Sequence, residues 1–470
     1  MTGQSNFWDV SMWSFVITLA LLFTAMLLAN ILRRKLRFLR QTLIPSSVLG
    51  GFLALGAGWL YRRLTGEPLF PVATLEALTY HGLGLGFVAM ALRRSESSRG
   101  REQRRAVFAT STVTVGSYLL QGMLGLLITL TLHRLIGSYA AAGVLLPMGY
   151  GQGPGQAYNW GSIYQNYTAY PAFANGASFG LTVAAMGFVS ASVGGVLFLN
   201  RLRKSGDPRV AENAEEIENL SAEDITAKGE IPLSESMDKL TVQLALCFVC
   251  YGAAYAGMQG ITVLLDALGG FAVNTVKPLI WGFNFLTGTA TAILCKALLG
   301  LLRRRGVMHR EYTNNFLLSR ISGVMFDLMV TASIAAIDLS AFRYREFWLP
   351  LVLLCVVGAV ATYVYNRWIC RRLFPGYAEE AFLSLYGMLT GTASTGVILL
   401  REIDPLFSTP ASHNLVFQNL WSIVLGAPML LLLGFVARSL TWTWISLGAL
   451  AVLFGLILLW QLLSHRKKDT

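Results

Sequence analysis

The sequence predicts an all-α polytopic membrane protein, and three observations support this fold class. Of the 470 residues, 54% are apolar and only 13% are charged, which is typical of membrane-embedded helices. Apolar segments long enough to cross a hydrocarbon core of ~30 Å recur along the chain. The chain has a net charge of +12, and its Lys and Arg residues cluster at the ends of the apolar segments. This placement indicates membrane topology and not nucleic-acid binding.

Eleven membrane spans are predicted from the apolar segments. Their bounds are 11–32, 43–60, 75–92, 107–133, 172–200, 240–265, 271–302, 316–339, 347–366, 415–436 and 442–463. Most Lys and Arg residues fall on the inner face if the N-terminus is outside and the C-terminus is cytoplasmic. The charge pattern therefore predicts that orientation.

Two further segments are apolar but interrupted. An apolar run at 136–148 leads into a glycine-rich stretch, GYGQGPGQAYNWG, at 149–161. Four glycines and a proline break the helix there, and at membrane depth such a break is tolerated only inside protein or beside an aqueous cavity. We therefore predict a re-entrant hairpin at 136–170, with an ordinary external loop as the alternative. The segment AFLSLYGMLTGTASTGVILL predicts a second hairpin at 375–405.

The two interrupted segments occupy matching positions in two halves of the chain. Each half has five spans, with its hairpin between the fourth and the fifth, and the halves start from opposite sides. If the first hairpin were a full crossing, the basic RLRK at 201–204 would lie outside. The predicted domains are a first repeat (1–204), an acidic cytoplasmic linker (205–239), a second, inverted repeat (240–437) and an extra C-terminal transmembrane helix (441–464). Inverted repeats with paired broken helices are typical of secondary transporters.

The first hairpin supplies the candidate substrate-binding residues. Backbone N–H groups at the N-terminus of a half-helix can hold a carboxylate without an arginine, and side-chain amides can orient the rest of a small anionic solute. The candidates are Gly149, Gly151, Gln152, Gly153, Gly155, Gln156 and Asn159.

Candidates for cation coupling are grouped by their oxygen atoms, which sodium prefers as ligands. They are Asp327, Thr390, Gly391, Thr392, Ser394 and Thr395. Small hydroxyl residues also allow close helix packing, which is the alternative for the LTGTAST segment at 389–395. An ionisable group within a span is costly, so Asp327 is assigned to coupling, with pairing to Arg320 as the competing explanation.

Four other charged residues stand near the ends of apolar segments. Lys277 and Lys296 are predicted to extend their amines toward the membrane surface. Arg401 and Glu402 follow the second hairpin, where they either gate the substrate path or form an ion pair at the cytoplasmic face.

Several segments resemble the bacterial sodium/glutamate symporter family. The likeness is carried by IPSSVLGGFLAL (44–55), by the glycine-rich stretch with Trp160, by ASFGLTVAAMG (177–187) and by LTGTAST. The resemblance implies two inverted five-helix repeats with re-entrant loops in the bacterial inner membrane. It also implies a homodimer that couples uptake of L-glutamate to Na⁺, without a cofactor.

The first hairpin departs from that family at its tip. The family carries a Gly-Gly-His-Gly-Thr type signature, whereas this chain reads GYGQGPGQ at 149–156. The substrate therefore stays open between glutamate, a related amino or organic acid, and another solute carried with sodium or protons. A channel is a further alternative. The chain has no dinucleotide fingerprint, nucleophile elbow, P-loop or zinc-protease motif, so it is not predicted to be an enzyme.

Overall fold

The computed structural model describes most of the chain. The described residues are 8–94, 100–166, 173–205, 238–270, 272–308, 310–404 and 409–466. They form α-helices and short helical turns, with no β-strand among them. The predicted acidic linker at 205–239 lies almost wholly outside the described residues. The described part is thus an all-α protein, as predicted.

Eighteen α-helices follow one another along the described chain. They are α1 (Val10–Lys35), α2 (Arg37–Gln41), α3 (Ser46–Thr65), α4 (Val72–Leu92), α5 (Arg101–Ile136), α6 (Leu145–Tyr150), α7 (Pro154–Gln165), α8 (Gly176–Lys204), α9 (Lys239–Leu268), α10 (Lys277–Gly282), α11 (Asn284–Arg304), α12 (Asn315–Ala335), α13 (Arg345–Leu373), α14 (Ala378–Thr390), α15 (Ala393–Arg401), α16 (Pro410–Phe417), α17 (Asn419–Val436) and α18 (Leu440–Arg466).

Nine helices in the described part of the chain are long and apolar enough to cross a membrane. They are α1, α4, α5, α8, α9, α11, α12, α13 and α18. The pair α16 and α17 adds a tenth if it counts as one span, bent by 46°. Helix α3 has 20 residues but lies outside this set. The protein is therefore a polytopic membrane protein.

One predicted span is broken. The segment 271–302 was expected to be continuous, but a π-helical turn (Ala272–Val276) and the short α10 precede α11. Pro278 cannot donate a backbone hydrogen bond, and Phe283 leaves the helical region with φ −106° and ψ 38°. Only the part from Asn284 onward forms a long helix.

The described helices separate into two compact units. The first contains residues 1–76, 98–217 and 331–470, and the second contains residues 77–97 and 218–330. Each unit draws helices from both halves of the chain. The compact units therefore do not coincide with the two repeats predicted from the sequence.

The second unit has an apolar core with a small polar cluster. Cys247 and Cys250 of α9 pack in the core beside Val88 and Ala292. The buried amide of Asn284 donates to the Tyr251 hydroxyl at 3.2 Å. Asn284 is the first residue of α11, so the polar cluster lies where the predicted span 271–302 is interrupted.

The two lysines of the second unit have specific partners. Lys277 Nζ lies 2.9 Å from a carboxylate oxygen of Asp266. Lys296 Nζ donates to the backbone carbonyls of Ala91 and Arg93, each at 2.9 Å. Lys296 therefore caps the C-terminal carbonyls of α4, and the extension of both amines toward the membrane surface stays a prediction.

The first unit is built around the contact between α5 and α13. Ser117 of α5 donates to the Asn366 side chain of α13 at 3.3 Å. Helix α18 joins them, because its buried Gln461 accepts a hydrogen bond from Tyr365 of α13 at 2.9 Å and donates to Thr112 of α5 at 3.4 Å. Both interrupted segments belong to this unit.

Candidate functional site

Helix α5 sets the path of the first interrupted segment. It ends where Gly137 adopts φ +72°, a conformation that glycine accepts without strain. The chain then runs back along α5: Ala140 O accepts from Thr129 at 2.6 Å, and Gly151 O accepts from Tyr118 at 3.1 Å. Since Tyr118 precedes Thr129 by three helical turns, the segment 140–151 descends toward the middle of α5.

Helix α7 carries the same segment back to its starting end. It begins at Pro154 and packs on the start of α8, where a Cβ added to Gly161 would meet the carbonyl oxygen of Gly176. Tyr139, at the entrance of the segment, stacks on Phe173, at its exit, with ring centroids 4.4 Å apart. The chain therefore enters and leaves at one end of the unit. We call residues 136–166 and 173–175, as described, the first hairpin.

The second interrupted segment approaches from the other end of α8. On the way in, Phe382 of α14 packs on Phe198 with ring centroids 4.6 Å apart. After the turn beyond Thr390, the chain returns along α15, and Glu402 lies 3.9 Å from Arg203 near the end of α8. We call residues 375–404 the second hairpin. Glu402 thus has Arg203 as an ion-pair partner, and the choice between gating and a cytoplasmic-face ion pair for Arg401 and Glu402 stays a prediction.

The two hairpin tips meet beside the middle of α8. A Cβ added to Gly187 would collide with the carbonyl oxygen of Thr390 and would lie 3.0 Å from the Tyr150 ring. A Cβ added to Gly153 would lie 3.5 Å from the methyl group of Thr392. Because Gly187 has no side chain, the tips of both hairpins approach α8 at this one position.

Broken helices leave backbone dipoles at this meeting point. Helix α7 starts after Gly153, and α15 starts after Thr392, and neither N-terminus has a side-chain cap. Their first N–H groups therefore lack helical acceptors and carry partial positive charge. The C-terminus of α14 presents carbonyl groups of opposite polarity next to the start of α15. The meeting point offers both donors and acceptors for a polar guest.

Two polar side chains of α5 bond the two tips. Besides the hydrogen bond from Tyr118 to Gly151 O in the first hairpin, Gln121 Nε2 donates to Leu389 O of the second hairpin at 3.0 Å. The same Gln121 nitrogen donates to Thr362 of α13 at 2.8 Å. One face of α5 therefore donates a hydrogen bond to each tip, and Gln121 also bonds α13.

A second buried amide lies next to this arrangement. Gln418, between α16 and α17, accepts from Thr114 at 2.7 Å and from Ser422 at 2.8 Å. Its nitrogen contacts the sulfur of Met388 at 3.1 Å. Buried polar groups cost little when they are hydrogen-bonded, so these bonds allow α5, α14 and α17 to pack through polar residues.

The seven predicted substrate residues separate into two groups. Gly151, Gln152 and Gly153 form the turn between α6 and α7. Buried within the flanking helices are Gly149, Gly155, Gln156 and Asn159. The break is shorter than the four glycines and the proline predicted: Gly149 lies in α6, and Pro154 and Gly155 lie in α7, because the fixed φ of Pro154 suits the first position of that helix.

The predicted coupling hydroxyls also differ in position. Gly391 and Thr392 form the turn between α14 and α15, and the Thr392 and Thr395 hydroxyls are 3.4 Å apart. The fully buried Thr390 donates to Tyr386 O at 2.6 Å, and Ser394 is exposed. Only Thr392 and Thr395 bring hydroxyl oxygens together at the tip.

Asp327 does not belong to the same compact unit as these hydroxyls. It belongs to α12 and to the second compact unit, whereas both hairpins belong to the first. Arg320 was the alternative explanation, as an ion-pair partner of Asp327, and its Cζ lies 5.0 Å from the centroid of the Phe316 ring. The predicted coupling set is therefore divided between the two units.

The sequence interpretation missed Tyr118, Gln121 and Thr362. All three stand within long apolar spans, and Gln121 is fully buried. A signal was present, because an amide in the middle of the apolar run 107–133 is costly without a partner or a function. The spacing of these residues in the sequence could not predict their contacts, since Gln121 and its partner Thr362 are 241 residues apart.

Glu402 lies at the end of the second hairpin away from the meeting point, and its surroundings change the pKa of its carboxyl. Burial raises the pKa of its carboxyl, and the positive charges of Arg203 and then Arg33 offset part of that rise. The carboxylate is consequently less favourable here than in water.

Comparisons with known proteins add no relative. No protein-family model matches the chain, and no curated protein matches it.

Proposed function

We propose that the chain is a secondary active transporter that imports a small solute together with sodium. The proposed substrate is L-glutamate or a related amino or organic acid. The observation that carries the proposal is the meeting of two broken helices, one from each end of α8, at Gly187. Paired broken helices at the middle of a membrane protein form the substrate and ion sites of many secondary carriers.

Reciprocal contacts support two inverted repeats. Gln121 of α5, the helix before the first hairpin, donates to Leu389 O in the second hairpin. Tyr150 in the first hairpin donates to Cys355 O of α13, the helix before the second hairpin, at 2.7 Å. Each hairpin thus contacts the helix that precedes the other one, as related repeats would require.

The chemistry of the tips suits an anion and a cation together. The uncapped N-termini of α7 and α15 favour a carboxylate. Carbonyl and hydroxyl oxygens around Thr392 and Thr395 suit sodium, a hard cation. The choice of sodium and of glutamate comes from the resemblance to the sodium/glutamate symporter family, in which the chain is proposed to be a divergent member.

Transport by purified protein in liposomes tests the proposal. Labelled glutamate should accumulate when an inward sodium gradient is applied, and unlabelled glutamate inside should drive exchange without a gradient. A channel would give neither accumulation nor exchange against a gradient. Uptake driven by a proton gradient in sodium-free buffer would replace sodium with protons. Absence of transport for every amino and organic acid would overturn the proposed substrate class.

The ion-coupling part has its own variants. Thr392→Ala and Asp327→Asn are both expected to raise the sodium concentration needed for half-maximal uptake. Thr392 lies at the hairpin tips and Asp327 in the other unit, so the two effects should be measured separately. If the sodium dependence of both variants equals that of the parent protein, these residues serve packing.

The proposed location is a bacterial inner membrane, which the chain crosses several times. The proposed topology has the N-terminus outside and the linker and C-terminus in the cytoplasm. Glu215→Cys and Lys468→Cys, in a protein without its native cysteines, should resist an impermeant thiol reagent in intact cells. Labelling of both positions would reverse the orientation. A homodimer is proposed from the resemblance, and crosslinking in membranes would test it.

A further inference from the structure

Gln121 has one buried atom whose bonding is incomplete. The residue is fully buried, and its Nε2 donates to Leu389 O and to Thr362 Oγ1. Its Oε1 has no hydrogen-bond partner among the described residues. A buried acceptor without a partner is unfavourable, and most such atoms in folded proteins are paired. The exception therefore needs an explanation.

The orientation of this amide is fixed by its neighbours. The carbonyl oxygen of Leu389 can only accept a hydrogen bond, so the nitrogen of Gln121 must face it. The oxygen then points to the other side of the amide, about 2.3 Å from the nitrogen by covalent geometry. Reversing the amide would place two oxygens against each other. The unpartnered oxygen is therefore separated from the tip of the second hairpin only by the amide group that donates to Leu389 O.

We propose that Gln121 Oε1 binds a small positively charged group during transport. This inference rests on the proposed function and adds a ligand-binding residue outside both hairpins. The group is either the coupling metal ion or the ammonium of an amino-acid substrate, because an amide oxygen accepts both.

The local dipoles favour a positive occupant. Leu389 is one of the last residues of α14, whose C-terminal carbonyls carry partial negative charge. Gln121 Nε2 occupies one of these carbonyls, and Oε1 adds another acceptor at the same helix end. A positive group next to Oε1 would be attracted by the partial negative charge at this end of α14.

The adjoining helix completes the complementarity. The uncapped N-terminus of α15 follows α14 after Gly391 and Thr392 alone. A carboxylate at that N-terminus and a cation at Gln121 would thus lie side by side. This arrangement fits an amino-acid zwitterion, and equally a carboxylate accompanied by sodium.

Substitutions with opposite properties separate binding from positioning. Gln121→Glu keeps an acceptor oxygen but loses the donor to Leu389. Gln121→Lys keeps a donor but removes the acceptor and adds a positive charge. Gln121→Met removes both and approximates the shape. The matched controls are Gln461→Glu and Gln461→Met, because Gln461 is fully buried and its oxygen and nitrogen both have partners.

The measurement is ligand-induced thermal stabilisation of the purified protein. One arm titrates sodium without organic solute, with choline holding the ionic strength constant. The other compares L-glutamate with glutarate, which lacks the amino group, in saturating sodium. Loss of a hydrogen bond to a charged group should weaken the affected ligand about tenfold or more in Gln121→Met. Gln121→Lys should lose the same ligand, Gln121→Glu should retain it, and the Gln461 variants should bind as the parent protein does.

Each outcome has one interpretation. A higher sodium midpoint without solute assigns the metal ion. A loss confined to glutamate, with glutarate unchanged, assigns the ammonium group. If Gln121→Lys binds like the parent and Gln121→Glu does not, or if all three variants bind like the parent, the inference is wrong. If the parent protein binds neither sodium nor any acid, the proposed function itself fails, independently of Gln121. Should the lysine variant not fold, the glutamate and methionine variants still decide.

Discussion

The two hairpins meet at one level but are held by different kinds of contact. In the first hairpin, backbone packs on backbone. Gly143 lies directly against Gly125 of α5, and Gly161 against Gly176 at the start of α8. Neither position has space for a Cβ. The first hairpin is therefore fixed to its supporting helices along both arms.

The second hairpin is held mainly by side chains. Its arms contact each other, since a Cβ on Gly387 would lie 2.8 Å from Gly396 Cα. Away from the tip, it reaches α8 through the Tyr386 hydroxyl and the Leu399 side chain, which lie against glycines. Side chains can change rotamer, whereas interlocked backbones cannot separate without unpacking. The second hairpin is thus expected to move as a unit and the first to stay fixed.

The largest expected effect follows from disturbing the first hairpin. Gly143→Val would force its side chain into the backbone at Gly125, and overpacking of this kind costs about 3 kcal/mol or more. We expect a large loss of thermal stability and of folded yield, measured by size-exclusion chromatography and thermal unfolding in detergent. Gly448→Ala on α18, where an added Cβ meets nothing within 4 Å, is the control. Equal stability of both variants would remove the basis for calling the first hairpin fixed.

A smaller loss of stability, with a larger loss of function, is expected for the second hairpin. Gly387→Ala would push the two arms apart by acting on Gly396. Because the strain stays inside the hairpin, the unfolding temperature should fall less than in Gly143→Val, while sodium-driven uptake should be strongly reduced. Uptake rates and unfolding temperatures of the same preparations decide this. A drop in stability as large as that of Gly143→Val would mean that the surrounding helices hold both hairpins equally firmly.

Removing one tyrosine hydroxyl that bonds each hairpin to its surroundings is a milder test of the same comparison. Tyr118→Phe removes the donor to Gly151 O, and Tyr386→Phe removes the donor to Ser190 O at 3.0 Å. Each bond is worth about 1 kcal/mol, or roughly a fivefold change in an equilibrium constant. We expect Tyr118→Phe to weaken substrate binding and Tyr386→Phe to change the transport rate with binding nearly unchanged. Isothermal titration and uptake kinetics would separate the two, and the reverse assignment would contradict the comparison.

The smallest effect concerns pH. Burial raises the pKa of Glu402 in the folded protein, so folding favours its protonated form. The stability from this group is present below the ordinary carboxyl pKa and is lost as pH rises through the folded value. Glu402→Gln should therefore melt like the parent protein near pH 4 and at a higher temperature at neutral pH. Exposed Glu67→Gln serves as the control, and a stability difference that grows toward acid pH would contradict the burial argument.

Local sequence patterns predicted the helices and the two interruptions well. Gly391 and Thr392 lie at the expected break of the second hairpin, where two poor helix formers are adjacent. The extent of the first break was overestimated, because Pro154 starts a helix instead of ending one. The break before Asn284 was missed, although Lys277 and Pro278 within that segment were a visible signal for it.

Contacts between distant segments were beyond the reach of those patterns. Gln121 could be recognised as unusual from its apolar surroundings, but its partner Leu389 is 268 residues away. The assignment of Asp327 to cation coupling together with the hairpin hydroxyls relied on its charge and its place within an apolar span. Nothing in the spacing indicated that α12 would belong largely to another compact unit.

The position of Gly187 along α8 has an electrical consequence. It lies about two-fifths of the way from Gly176 to Lys204, so a cation reaching it from the Lys204 end would cross roughly three-fifths of the potential drop along that helix. At ~2.3 kcal/mol per elementary charge per 100 mV, occupancy from that end would change by about 1.4 kcal/mol for each 100 mV. Ion binding at the tips is therefore expected to depend on voltage. Pre-steady-state currents on solid-supported membranes would record the charge displaced before any solute is transported.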